Sequence, residues 1–125
     1  MHSLCEIRQI MVDLRTFEER LREQTSLSLN EALCLCQVRN GMQEPGALAR
    51  DLELSPSRLS RIFDSLERQR LIQRTLSTTD RRGVKVHLTK QGEAMVEQLH
   101  SIQIELPDHL KNALDILQAA EQEGE

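Results

Sequence analysis

Two helix starts in quick succession constrain this chain more than any other feature. Pro45, after a loop that carries Gly41, opens a short amphipathic run to about Glu53, and Ser55-Pro56 opens a second that reaches about Gln69. Proline suits a first helical position because the amide it lacks would be unpaired there, and serine before it is a good N-cap. Ala47, Leu48 and Leu52 make one apolar face; Leu59, Ile62, Phe63 and Leu66 make the other, at helical steps of three and four. Joined by only a few residues, two such helices must cross steeply. Burial of the second stripe leaves Ser57, Arg58, Ser60, Arg61 and Ser65 facing out.

The flanking segments follow from the same periodicity. A first helix is predicted from about Leu4 to Gln24, with Ile7, Ile10, Met11, Leu14, Phe17 and Leu21 as its stripe and Thr25-Ser26 as its end. Ser28, with Glu31 three residues on, reads as a capping box for a second helix to about Arg39. That helix is expected to turn Leu29, Ala32, Leu33 and Cys36 inward and to stop at Asn40-Gly41. After Gln69 the period changes to two. Leu71 to Leu76 and Val84 to Leu88 read as strands around the polar tip Ser77 to Gly83, a hairpin. Thr89 caps a helix expected to run from Lys90 to about Leu106, where Pro107 breaks it. A last helix, Asp108 to about Ala120, carries Leu110, Ala113, Leu114 and Leu117, and Glu121 to Glu125 reads as a frayed acidic tail.

Three helices, a turn, a helix, a hairpin and a further helix make a mainly α chain with a small β-hairpin (α+β), in the order of a winged helix-turn-helix. The 125 residues allow one domain. Residues 28–88 form its winged part, and 1–27 and 89–125 its helical dimerisation part. Ile7, Ile10, Met11, Leu14, Leu106, Leu110, Leu114 and Leu117 are left over once the winged part has closed its own core, and such faces need a second copy as partner. Phe17 and Phe63 are the only aromatic residues, which argues against an all-β fold. No apolar run nears the ~18 residues of a membrane span, and no leader pattern opens the chain, so a soluble, cytoplasmic protein without membrane contact is expected.

Charge points to a partner. The net charge is −4, yet Arg50 to Lys90 holds ten basic residues against five acids, so the middle of the chain is positive and the rest strongly negative. This split directs attention to duplex DNA. An arginine on the outer face can donate two hydrogen bonds to guanine, and serine can serve base or phosphate. Ser55, Ser57, Arg58, Ser60, Arg61 and Ser65 are therefore the candidate readers. Arg74 and Lys85 are added from the strands and Arg81 and Arg82 from the tip, where a guanidinium can reach a minor groove. Asp80 is placed to pair with Arg82 and aim it. The alternative is a winged-helix module for protein–protein contact with DNA binding weak or lost; the exposed arginines, where such a module would show apolar residues, favour DNA.

Other chemistry finds little purchase. No phosphate loop, zinc-hydrolase helix or nucleophile elbow occurs, so no enzyme is expected. His2, His87, His100 and His109 show no helical pairing, and Cys34 and Cys36 point to different sides of one helix, so neither metal nor cofactor is expected. Cys5, early in the first helix, could sense oxidants, but an inert thiol is the simpler reading.

The runs Leu48-Ala49-Arg50-Asp51-Leu52, Leu54-Ser55-Pro56-Ser57-Arg58-Leu59-Ser60-Arg61 and Leu66-Glu67-Arg68-Gln69-Arg70-Leu71-Ile72 resemble the MarR family of bacterial transcriptional regulators. Asp80-Arg81-Arg82-Gly83-Val84-Lys85-Val86-His87-Leu88-Thr89-Lys90-Gln91-Gly92 is similar to that family's wing and the helix start after it. The resemblance implies a homodimer over a pseudo-palindromic operator, with Ser57, Arg58, Ser60 and Arg61 in the major groove. It also implies that Arg82, buttressed by Asp80, enters the minor groove, and that repression is released by a small phenolic ligand, a metal or an oxidant. Glu53 departs from the pattern, since a small residue or Gly is usual in that turn. Glu44 is a weak cap, and the chain is short for the family.

Overall fold

The computed structural model describes residues 3–76 and 83–123. Its elements are α1 (Leu4–Thr25), α2 (Leu29–Arg39), α3 (Pro45–Leu52), α4 (Pro56–Arg68), β1 (Ile72–Leu76), β2 (Val84–Leu88), α5 (Lys90–Ser101) and α6 (Asp108–Glu123). They form two compact units, residues 28–102 and residues 1–27 with 103–125. Helix α5 packs with α2 and β2, and so belongs to the first unit, where the sequence had grouped it with the outer helices.

In residues 28–102 the local signals become hydrogen bonds. The Ser28 hydroxyl accepts the Glu31 amide at 3.1 Å, and the Glu31 carboxylate accepts the Ser28 amide at 2.8 Å, which completes the capping box. Ser55 accepts the Arg58 amide at 3.2 Å to start α4, and Thr89 accepts the Gly92 amide at 3.0 Å to start α5. The core gathers Leu35, Leu48, Leu59, Leu66, Val86 and Val96, all essentially without solvent exposure. Strands β1 and β2 are antiparallel, with Ile72 opposite Leu88 and Leu76 opposite Val84. The hairpin is tied to the body as well, since the Val86 amide donates to the Gln43 carbonyl at 2.9 Å.

Helix α2 departs from the predicted inner face. Ala32, Cys34, Leu35 and Val38 are buried, Leu33 is 43% exposed and Cys36 is half-buried. The helix touches α3, α4, α5 and β2. A helix covered from several sides has no single stripe for periodicity to find.

Helix α5 ends at Ser101 instead of continuing to Leu106. Ile102 has turned to extended geometry (φ −66°, ψ 136°), and from there Ile102, Ile104 and Leu106 are half-buried while Gln103 and Glu105 are exposed. Pro107 disfavours helical geometry just before itself, and the alternation of apolar and polar residues suits a non-helical run up to it. In the second unit α6 pairs with α1. Buried Asp13 of α1 accepts the amides of His109 and Leu110 at 2.9 and 3.2 Å, and thereby caps α6 from another helix. Helix α6 runs on to Glu123, beyond the predicted end at Ala120.

Backbone approaches backbone closely at the junction between wing and α5. Thr89 donates its hydroxyl to the Arg70 carbonyl at 2.6 Å and its amide to the Leu71 carbonyl at 3.1 Å. A Cβ on Gly92 would stand 2.0 Å from that Leu71 oxygen. Gly92→Ala is therefore expected to destabilise the fold by about 3 kcal/mol. Urea unfolding measures it, and an unchanged midpoint would refute the close approach.

Candidate nucleic-acid interface

Helices α3 and α4 are joined by Glu53, Leu54 and Ser55. Glu53 adopts left-handed geometry (φ 55°, ψ 45°), and the Leu54 amide returns to the Ala49 carbonyl at 2.9 Å. This reversal lets two short helices cross, although glycine takes such a conformation at lower cost. Burial of Leu59, Phe63 and Leu66 then fixes the rotation of α4 about its axis. Ser55, Ser57, Arg58, Ser60 and Arg61 are all exposed along its first two turns. The Ser55 and Ser57 hydroxyls lie 3.3 Å apart at its start. No acid occupies the first turn of α4 to offset the positive end of its dipole.

Two of the sequence-designated readers are engaged elsewhere. Ser65 is half-buried, and its hydroxyl donates to the Glu31 carboxylate at 2.6 Å. Gln69 adds a bond to the same carboxylate oxygen at 3.3 Å and one to the Ser65 hydroxyl at 3.2 Å. Ser65 therefore faces α2, not solvent. Arg74 reaches from β1 back to α4, where it pairs with Asp64 at 2.9 Å and with Glu67. Its guanidinium lies 5.7 Å from the centre of the Phe63 ring. Sequence reasoning missed both arrangements because their partners come from other elements; the one local hint is the Ser65 to Gln69 step of four.

Lys85 is exposed on β2, opposite Thr75. His87, on the same strand, is bridged by Gln43 and Thr75, each 3.1 Å from one ring nitrogen. Asp80, Arg81 and Arg82 lie outside the described residues.

The apolar positions assigned to self-association fall on helix surfaces. Ile7, Ile10, Met11 and Leu14 of α1 are 37–51% exposed, and Leu114 and Leu117 of α6 are 43% and 61% exposed. Leu106 and Leu110 are half-buried. Cys5 is exposed in the first turn of α1. Burial, helped by the Glu31 carboxylate, pushes the Cys34 thiol up to about 12, and burial also raises that of Cys36 against the opposing effect of Arg39. Among the described residues no cluster of His, Cys, Asp or Glu is placed to hold a metal ion, and no helix is long and apolar enough to cross a membrane.

Residues 27–84 match the MarR family. Among solved structures the chain is similar to the reduced form of MarR from E. coli, with 27% identity and a TM-score of 0.68 over 80% of this chain and 75% of that one. It is similar to a MarR mutant from E. coli complexed with operator DNA, with 24% identity, a TM-score of 0.71 and 94% and 93% of the two chains covered. It is also similar to the MepR–DNA complex of S. aureus, with 22% identity, a TM-score of 0.61 and coverage of 94% and 89%. At these lower identities the likeness is one of fold. No curated protein sequence matches the chain.

The raised Cys34 thiol has a direct consequence, because the thiolate is the reactive form. With a disulfide reagent at pH 8, Cys34 is expected to stay unlabelled in the native protein and to react once denaturant is added. Labelling of native Cys34 as fast as that of exposed Cys5 would contradict its burial.

Proposed function

For a chain that belongs to the MarR family of winged helix-turn-helix transcription regulators, a family of DNA-binding proteins and not of enzymes, we propose a homodimeric regulator, most simply a repressor, of a pseudo-palindromic operator. The observation that carries this reading is the outer face of α4. Its serines and arginines at Ser57, Arg58, Ser60 and Arg61 stand exposed beside a helix start with no acid in its first turn, over a face pinned by Leu59, Phe63 and Leu66. Arg58 and Arg61 offer guanidinium forks for guanine edges or phosphate, and Ser55 and Ser57 offer donors for the backbone at the helix N-terminus. Lys85 adds a phosphate contact from the wing strand. Arg81 and Arg82 contact the minor groove from the tip, with Asp80 as the partner that aims Arg82.

The dimer is supported by the exposed apolar faces. Ile7, Ile10, Met11 and Leu14 on α1, with Leu114 and Leu117 on α6, offer exposed apolar area to a second copy, and the half-buried Leu106 and Leu110 add to it. A twofold axis then sets two copies of α4 against half-sites about one helical turn, ~34 Å, apart. Release by a small molecule or other signal requires that signal to favour a spacing of the two readers that no longer fits DNA. The operator complex of the similar E. coli protein and the DNA complex of the similar S. aureus protein agree with this reading.

Selection of the purified protein on random duplex DNA, at two salt concentrations, tests it. Enrichment of an inverted repeat, with affinity falling steeply as salt rises, is expected. No enriched sequence would sink the proposal. On the selected operator, Arg61→Ala is expected to cost about 1–3 kcal/mol of binding free energy and to relax base preference at one position of each half-site, with thermal unfolding unchanged.

A further inference from the structure

We propose that Arg74 is a charge mask for the recognition helix: its single positive charge, shared between the two acids of α4, halves their net charge and so weakens their repulsion of DNA, and it does not itself contact a phosphate. This rests on the DNA-binding reading given above. Asp64 and Glu67 are the only acids in α4. Asp64 follows Arg61 by three residues and therefore shares its face, where an unpaired carboxylate would confront the phosphate backbone. Arg74 meets both acids through different nitrogens of one planar fork, Nη2 at 2.9 Å from Asp64 and Nε on Glu67. Lysine, a point charge on a flexible stem, could not divide itself so.

The guanidinium is also held in place. It lies over the ring of Phe63, a residue only 3% exposed, at 5.7 Å from the ring centre. Ion pairs whose members are as open as these, with side chains 32%, 58% and 37% exposed, add little to folding because water and salt screen them. Near a row of phosphates the same two carboxylates carry a larger penalty, since like charges brought together across an interface are disfavoured. The pairing is thus nearly silent in the free protein and matters when DNA approaches.

A mutant cycle on the selected operator separates masking from direct contact. Arg74→Ala is expected to keep its fold and to weaken binding about tenfold. The pair Asp64→Asn with Glu67→Gln is expected to raise affinity by a smaller factor when Arg74 is present than in the Arg74→Ala background, where it restores most of the lost affinity. Direct contact predicts the opposite coupling. The neutralised pair would then free Arg74 and raise affinity when it is present, and would leave Arg74→Ala unrestored; that result overturns the mask. Should Arg74→Ala fail to fold, Arg74→Gln, which keeps a stem over Phe63, takes its place in the same cycle. Failure of the unmodified protein to select any operator would instead remove the DNA-binding reading on which the mask rests.

Discussion

The carboxylate of Glu31 stands where α2 begins and α4 passes, and it engages donors from both helices. One oxygen accepts the Ser28 backbone amide at 2.8 Å; the other accepts the Ser65 hydroxyl at 2.6 Å and the Gln69 side-chain amide at 3.3 Å. A half-buried carboxylate with its donors in place is satisfied only in that arrangement, and it would lose them if α4 turned about its axis by one residue, about 100°. Leu59, Phe63 and Leu66 impose the same rotation through burial. Polar and apolar demands therefore agree on one setting of the helix, and that setting turns Ser57, Arg58, Ser60 and Arg61 outward.

What the sequence made legible was local. Ser28 with Glu31, Ser55 and Thr89 each bond an amide three positions along the chain, so their caps could be read from spacing alone. The face of α4 was legible because its apolar and polar sides are sharply divided, whereas α2 is apolar nearly all round and is covered by four other elements. Ile102 and Leu106 misled because they sit four apart, which suits a helix, while Ile102, Ile104 and Leu106 also alternate, which suits extended chain. The structure takes the second. At the last helix, acids near a C-terminus oppose the dipole, yet glutamate is a good helix former, and the helix carries on through Glu121. Ser65 and Arg74 were unreadable as intramolecular partners for a different reason. Nothing near them in sequence says that Glu31 or Asp64 and Glu67 will be within reach once the chain has folded.

A chain with net charge −4 can still offer DNA a favourable surface, because charge acts over a limited distance. At physiological salt the screening length is about 8 Å, so exposed acids farther from the phosphates than this are largely unseen. The acids that matter are those carried by α3 and α4 themselves. Asp51 accepts the side-chain amide of Gln37 at 2.8 Å, and Asp64 and Glu67 share the guanidinium of Arg74. Arg58 and Arg61 then act against a background in which three neighbouring carboxylates already have donors. Glu53 stands apart from these three, in a turn that glycine would occupy without strain, so its persistence there is paid in backbone conformation as well as in charge. The surface potential of the recognition helix is thus set less by how many arginines it carries than by which of the acids around them are already paired.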